Sequence, residues 1–299
     1  MTDGSTRVVY AALTGNLLVA IAKFAAAAIS GSSAMLTEGI HSSADTVNQL
    51  LLLIGTRRSR ARADASHAFG YGLEIYFWAF DVAVLVLVVG GAASIYEGVR
   101  ELGDLKPLAA PGLSLVVLAL SMVFEGASFA VGYREYKRVV RGRKVGLWRF
   151  IVLSKDPNLY ESLLEDMAAL IGLLIAAAGV AASAYFGLLW ADGAASIAIG
   201  LLLIADSAVI ASATRSLIAG ETASPILLAQ IETLKHDESL LEILKVLTLQ
   251  LGPKIILVAV TVRLDPDKSV REARRQLNNV TDRIKALDRR ISYVLFRFE

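Results

Sequence analysis

Residues 30–49 read SGSSAMLTEGIHSSADTVNQ and continue through an apolar run to Gly55. The segment is long enough to cross a bilayer as a helix. It nevertheless contains His41 and Asp45, which lie four residues apart and therefore on one helix face. An imidazole and a carboxylate so placed can bind one divalent metal ion, or they can join two helices as a polar pair. Because ionisable groups are costly at membrane depth, both are candidates for function.

The composition is that of a protein with several membrane spans. Of the 299 residues, 55% are hydrophobic and 19% are charged, and the mean hydropathy is +0.57, which soluble domains rarely reach. There are no cysteines, so any metal must be held by His, Asp, Glu or neutral oxygen. The N-terminal MTDGSTR leads directly into an apolar run without a cleavage pattern, and we expect no signal peptide.

Six segments are long and apolar enough to cross a membrane. We number them spans 1 to 6, at residues 8–29, 33–55, 75–97, 112–133, 162–186 and 193–214. Basic residues concentrate in two of the connections: Arg57, Arg58, Arg60 and Arg62 in the 2–3 connection, and Arg134, Lys137, Arg138, Arg141, Arg143, Lys144, Arg149 and Lys155 in the 4–5 connection. The positive-inside rule therefore predicts that both connections and both termini are cytoplasmic.

Beyond about residue 216 the pattern becomes that of a soluble domain. Ser224 followed by Pro225 predicts the start of a helix, and Ser269 with Glu272 predicts a capping box at the start of another. Three segments, ILKVLTLQLG, IILVAVTVRL and ISYVLFRF, predict strands. The expected order is α-β-β-α-β, a small ferredoxin-like α+β domain with helices on an antiparallel sheet.

The predicted fold class is thus an α-helical membrane protein with two domains. We place a six-helix transmembrane domain at residues 1–216 and the cytoplasmic α+β domain at residues 217–299.

Three further charges inside the predicted spans are candidates for pairing or for metal binding. Lys23 in span 1 is expected to reach the interface or to pair with a carboxylate such as Asp206 in span 6. Glu125 in span 4 is a possible metal ligand, proton carrier or partner for Lys23. Asp166 in span 5 is the natural partner of the His-Asp pair in span 2.

The sequence does not determine the fourth ligand of a metal site made of His41, Asp45 and Asp166. The residue one turn before Asp166 is Ser162, Glu165 points about 100° away around the helix, and Glu161 lies off the face of Asp166. The possible fourth ligands are Ser162, Glu165, Asn48, Glu125 or water.

A second candidate metal site lies in the 2–3 connection. Asp64 and His67 are three residues apart and could ligate a metal, although an ordinary solvated pair has the same spacing. In the C-terminal domain, His236 beside Asp237 and Glu238 indicates an exposed helix end rather than a metal site.

These features together resemble the cation diffusion facilitator family of divalent metal/proton antiporters. The best local matches are SGSSAMLTEGIHSSAD, the run D-x-x-H-x-x-G-x-G followed by E-x-x-F-W between Asp64 and Trp78, and LWADGAASIAIGLLLI. HSSADTVNQ together with LLEDMAALIGLLIA resembles more closely a branch that includes the mitochondrial zinc transporter-like members.

The resemblance implies a transport site made of two residues, four apart, from each of spans 2 and 5. Carried over, the site comprises His41, Asp45 and Asp166. Its fourth position falls on Ser162, where the family usually has His or Asp.

The resemblance also implies a site in the 2–3 connection and a homodimer. The loop site falls on Asp64 and His67, but its second His position falls on Tyr71, so the site is partial. The several His residues through which some members bind metal in the tail are lacking.

The predicted function is secondary active transport rather than catalysis. Metal from the cytoplasm would bind the site and displace protons, because imidazole titrates near neutral pH and metal and proton compete for it. Zn²⁺ suits the ligands, and Mn²⁺, Fe²⁺ or Co²⁺ accept similar ones. We expect no separate cofactor, no nucleic-acid partner, and a prokaryotic inner membrane as the location.

Two alternatives remain. An intramembrane metalloenzyme would need a motif such as H-E-x-x-H, whereas His41 is the only histidine in the spans. A non-transporting scaffold subunit of the same fold is the other, and Ser162 is the residue that favours it.

Overall fold

The computed structural model describes residues 3–140, 146–236, 242–264 and 269–299. Five charged residues interpreted above lie outside them: Arg141, Arg143, Lys144, Asp237 and Glu238. The chain divides into two compact units, which we describe separately. The first comprises Met1–Ile54, Trp78–Ile151 and Asn158–Ala213, and the second comprises Gly55–Phe77, Val152–Pro157 and Thr214–Glu299.

Each predicted span is a helix. The helices are α1 (Asp3–Ser30), α2 (Ser33–Arg58), α3 (Glu74–Leu85), α4 (Ala93–Leu102), α5 (Pro111–Val140), α6 (Leu147–Leu153), α7 (Pro157–Phe186) and α8 (Trp190–Ile218). A π-helical turn at Val86–Ala92 joins α3 to α4, so Glu74–Leu102 is one continuous span. Spans 1, 2, 4, 5 and 6 are α1, α2, α5, α7 and α8.

Within the described residues, five helices are long and apolar enough to cross a membrane. They are spans 1, 3, 4, 5 and 6. The remaining helix, α2, has 26 residues, and the polar residues of its first half lower its hydropathy. The predicted fold class, a helical membrane protein with a small α+β domain, is confirmed.

Spans 3 and 6 pack through glycines. A Cβ on Gly98 would lie 2.6 Å from the carbonyl oxygen of Gly193, and a Cβ on Gly200 would lie 2.8 Å from that of Gly91. Only glycine permits so close an approach of two backbones, which is a common device of membrane helices. The backbones of spans 3 and 6 are therefore closely packed at these glycines.

The start of α2 is held in place by a tight turn and by a helix cap. Gly31, at φ +74°, closes the turn from α1. The carboxylate of Asp192 in α8 accepts hydrogen bonds from the Ser32 hydroxyl at 2.7 Å and from the backbone N–H groups of Ser33 at 2.7 Å and Ala34 at 3.2 Å. These donors are otherwise orphaned at a helix start, so an acid from the last span holds the first turn of α2.

The second unit contains the α+β fold in the predicted order. Its elements are α9 (Pro225–Thr233), β1 (Glu242–Gly252), β2 (Ile255–Arg263), α10 (Val270–Leu287) and β3 (Ile291–Phe298). Ser224 caps α9 through Leu227, and Ser269 forms the predicted capping box. Val258, Val260 and Val262 of β2 are buried in the core of this sheet.

The predicted antiparallel sheet is only half correct. β1 pairs with β2 in antiparallel fashion through a tight hairpin, but β3 runs parallel to β2. The reason is α10, which carries the chain back along the sheet before β3 begins, and such helical crossovers join parallel strands.

Two segments from elsewhere in the chain belong to this second unit. The Tyr76 hydroxyl donates to the carbonyl oxygen of Lys155 at 2.9 Å, and the ammonium of Lys155 pairs with Glu221. The Phe69 ring meets Tyr293 edge to face, with centroids 5.2 Å apart. The domain boundary predicted at residue 216 stays a prediction.

Candidate metal centre

His41 and Asp45 lie together near the middle of α2. The His41 side chain is 2% exposed and that of Asp45 is 15% exposed, and His41 Nδ1 is 3.4 Å from Asp45 Oδ1. Among the described residues, neither ring nitrogen of His41 has a hydrogen-bond partner, and neither has Asp45 Oδ1. Asn48, one turn further, is fully buried, and its amide nitrogen and oxygen are likewise unpartnered within the described chain.

This pattern favours metal binding over helix adhesion. Buried polar atoms are nearly always hydrogen-bonded, and exceptions usually mark a functional group or an ion site. A pair that joined two helices would use these atoms for hydrogen bonds to the neighbouring helix. The nitrogen and oxygen that a borderline metal prefers are instead buried and unused.

Asp166 of α7 is hydrogen-bonded to α5 rather than to α2. It is 9% exposed, and the hydroxyl of Ser128 in α5 donates to both of its carboxylate oxygens at 3.1 Å. Asp166 is close enough to Asp45 and Glu125 to interact electrostatically. However, no three His, Asp or Glu side chains in the described part of the chain are grouped closely enough to hold one metal ion. The three-residue site inferred from the sequence is therefore not assembled in this conformation and stays a prediction.

The fourth-ligand candidates on α7 are half-buried. Ser162 and Glu165 each keep some exposed surface, and Glu165 interacts electrostatically with Asp45, Glu161 and Asp206. Whether either one binds metal stays a prediction.

Glu161 is a residue that the sequence reasoning set aside. Its side chain is fully buried, and both carboxylate oxygens lack hydrogen-bond partners among the described residues. Because Glu161 lies off the helix face of Asp166, it was not predicted as a ligand. Its four-residue spacing from Glu165 repeats the spacing in span 2 and was the signal that could have identified it.

Lys23 pairs with a carboxylate of another helix, as predicted, but the carboxylate is Glu38 and not the suggested Asp206. Lys23 Nζ lies 2.9 Å from Glu38 Oε2, and both side chains are fully buried. The two residues lie eight before and seven after Gly31, so the tight turn between antiparallel helices brings them level. Asp206 instead interacts electrostatically with His41 and Asp45.

Asp64 and His67 form an exposed turn. Asp64 Oδ1 accepts hydrogen bonds from the Ser66 hydroxyl at 2.7 Å and the His67 N–H at 2.8 Å, and Oδ2 accepts from the Tyr71 hydroxyl at 2.8 Å. The hydrogen bonds from Ser66 and then Tyr71 hold the pKa of Asp64 below its usual range. The His67 ring stacks on Tyr71, with centroids 4.0 Å apart. This is the geometry of a structural turn, and metal binding here stays a prediction.

Residues 9–219 match the sequence profile of the cation efflux transmembrane domain. The chain belongs to the cation efflux family. The resemblance to the cation diffusion facilitators is thereby confirmed.

Two relatives are identical to this cation efflux protein at about a third of the aligned positions. The human mitochondrial proton-coupled zinc antiporter SLC30A9 is 32% identical over 250 residues, 83% of this chain and 44% of the relative. Metal tolerance protein C4 of Arabidopsis thaliana is 36% identical over 199 residues, 67% of this chain and 44% of the relative.

Magnetosome protein MamB of Magnetospira sp. (strain QH-2) is more distant. It is 27% identical over 180 residues, 58% of this chain and 54% of the relative. The chain thus spans about half or less of the length of these three relatives.

Proposed function

We propose that this protein exports Zn²⁺ from the cytoplasm in exchange for protons by alternating access. The observation that carries the proposal is the buried, unpartnered set of ligand atoms on His41 and Asp45 in α2. Membership of the cation efflux family and similarity to a protein named a proton-coupled zinc antiporter support it.

The exchange follows from the chemistry of the α2 pair. A metal ligand must be unprotonated, so a metal that binds His41 and Asp45 releases whatever protons they hold. Imidazole accepts a proton near neutral pH. One site therefore holds either metal or protons, and each ion leaves when the other arrives.

Completion of the site requires movement. Asp166 is not grouped with His41 and Asp45 closely enough to share one ion among the described residues, so it must move toward α2 to reach a metal there. Binding energy at the metal is then available to shift the bundle between conformations. In this scheme metal binding and reorientation of α7 are one event.

The proposed ligands, the His41 imidazole and the carboxylates of Asp45 and Asp166, are of the types that Zn²⁺ binds. If Ser162 or water supplies the fourth oxygen, the set becomes richer in oxygen and more suited to Mn²⁺, Fe²⁺ or Co²⁺. The similarity to the human zinc antiporter favours Zn²⁺.

We propose a multi-pass membrane homodimer with both termini in the cytoplasm. The basic 2–3 and 4–5 connections support this orientation. A prokaryotic inner membrane stays a prediction from the sequence; the human relative is named as mitochondrial.

The test is metal flux in proteoliposomes under a pH gradient. We expect wild-type protein to move Zn²⁺ in preference to Mn²⁺, Fe²⁺ and Co²⁺, with counterflow of protons. Asp45→Ala should abolish this flux, because it removes a charged ligand. Asp64→Ala, which removes an exposed carboxylate of the loop turn, should leave most of it.

Each alternative has its own result. Flux that survives Asp45→Ala would contradict the α2 site. An intact wild-type protein that binds metal without any flux would support the scaffold subunit instead.

A further inference from the structure

Helices α1 and α2 are joined by a buried ion pair that has no role in the transport scheme proposed above. Lys23 Nζ donates to Glu38 Oε2 at 2.9 Å and to the Ser42 hydroxyl at 2.7 Å. Both charged side chains are fully buried. Burial of an ion pair is expensive, and apolar residues of the same volume often give equal or better stability. The pair therefore calls for an explanation other than adhesion between two helices.

Only half of the Glu38 carboxylate is used. Oε2 binds Lys23, whereas Oε1 is buried without a hydrogen-bond partner among the described residues. This oxygen points at Gly172 of α7, where a Cβ would lie 2.7 Å from it. A glycine thus leaves room beside a free anionic oxygen. A pair that served adhesion alone would be expected to satisfy both oxygens.

Glu38 lies on the path from the candidate metal centre to one end of α2. It is three residues before His41 and seven before Asp45, so all three side chains share one helix face. It stands between this pair and Ser33, where α2 begins. An ion that leaves the pair along this face toward the Ser33 end passes the free oxygen of Glu38.

We propose that Glu38 is a transit ligand for the transported divalent cation, and that Lys23 is the protein's own cation that occupies Glu38 between passages. The arriving metal displaces the ammonium, which keeps its second acceptor, Ser42. Once the metal has left, Lys23 returns to Glu38 and neutralises it. The inference rests on the proposed function and adds a second, transient site to it.

The first test is Zn²⁺ binding by the full-length protein in nanodiscs. Lys23→Met removes the competing cation, so we expect the affinity for Zn²⁺ to rise at least about fivefold, the lower end of usual coupling between two ligands of one protein. Adding Glu38→Gln should reverse this gain. An affinity that stays unchanged or falls in Lys23→Met would overturn the proposal.

The second test is transport by the double variant Lys23→Met/Glu38→Gln. Because this variant loses one positive and one negative charge, the net charge of the bundle is unchanged, and neutral replacements for a buried pair usually fold. We expect Zn²⁺ affinity near that of wild type and flux slower by at least about fivefold. Flux at the wild-type rate would show that the pair is structural and would overturn the proposal, even if Lys23→Met alone failed to fold.

The matched control is Asp104→Asn/Lys106→Met. It removes the same kind of pair from a site where the side chains are 70% and 74% exposed, and it should change neither affinity nor flux. Wild type and Asp45→Ala are measured alongside. Flux that depends on Asp45 but not on Glu38 rejects the transit site alone, whereas an absence of wild-type flux rejects the proposed function.

Discussion

At the scale of single residues, the unsatisfied polar atoms of α2 form one line. Glu38, His41, Asp45 and Asn48 each bury at least one atom that lacks a partner in the described chain, and they recur every three or four residues on one face. Each such atom lowers stability. A cation that moves along this face would meet all four in turn, and its binding would offset this cost.

His41 gives a direct stability prediction. In metal-free protein, His41→Leu removes two unpartnered nitrogens and fills similar volume with apolar atoms, so we expect a Tm equal to or above that of wild type. Zn²⁺ should raise the Tm of wild type but not that of His41→Leu. At 100 times Kd the stabilisation is about 2.7 kcal/mol for a ligand that binds the folded state alone. Thermal melts with chelator and with Zn²⁺ measure both effects.

The control for this prediction is His67→Leu, in the exposed turn, which should retain the Zn²⁺-dependent rise. A Tm several degrees lower for His41→Leu in chelator would mean that His41 is structural.

The sequence predicted the residues of α2 better than their partners. His41 and Asp45 share one helix, so their proximity follows from spacing alone. The contact of Asp166 with Ser128 joins two helices, and its geometry depends on how each helix is rotated about its axis. Hydropathy carries no such information, because lipid-facing and protein-facing residues of a membrane bundle are similarly apolar.

At the scale of elements, the contact between spans 3 and 6 depends on glycine. Gly98→Ala would place a Cβ 2.6 Å from the Gly193 carbonyl oxygen, which is backbone and cannot turn aside. We expect a loss of about 1–3 kcal/mol, typical of overpacking. The loss should appear as a lower Tm and slower transport in the purified variant.

The matched control is Gly126→Ala in α5, where an added Cβ meets nothing within 4 Å. It should be neutral or slightly stabilising, since alanine favours helix over glycine. Equal Tm values for the two variants would contradict the glycine contact.

The C-terminal elements were predictable, whereas the direction of one strand was missed. Alternating residues and the Ser269–Glu272 box mark β1, β2, α10 and β3 correctly. Alternation identifies a strand but not its neighbour's direction. The decisive clue was the 18-residue helix α10, since a helical crossover between adjacent strands makes them parallel.

At the scale of the whole molecule, the proposed exchange would make the pH gradient a driving force for Zn²⁺ movement. With the membrane potential clamped at zero, one pH unit is worth about 1.4 kcal/mol per proton, so each proton exchanged per Zn²⁺ sustains roughly a tenfold Zn²⁺ gradient. We expect Zn²⁺ to accumulate on the acidic side of the proteoliposome membrane. The slope of the logarithm of the Zn²⁺ ratio against the pH difference gives the number of protons.

The control is the same measurement with the pH gradient collapsed by an ionophore, where the Zn²⁺ ratio should return to one. A steady-state ratio independent of the pH gradient would contradict exchange and would indicate passive conduction of the metal.

The second unit also includes two segments that are distant from it in sequence. Their composition gave no indication that they belong to it. The 2–3 connection and residues 152–157 fold with the C-terminal sheet. The contact of Phe69 with Tyr293 of β3 is one example, and neither segment has the length or periodicity of an element.

The approach of Gly72 to the end of β1 has a consequence for genetics. A Cβ at Gly72 would collide with the backbone carbonyl oxygen of Leu251, so every other amino acid at this position forces the connection away from the sheet. The chain from Gly72 leads within two residues into α3. In a screen for metal-sensitive cells, substitutions at Gly72 would therefore be recovered among the loss-of-function alleles, because they disturb the start of α3 and the end of β1.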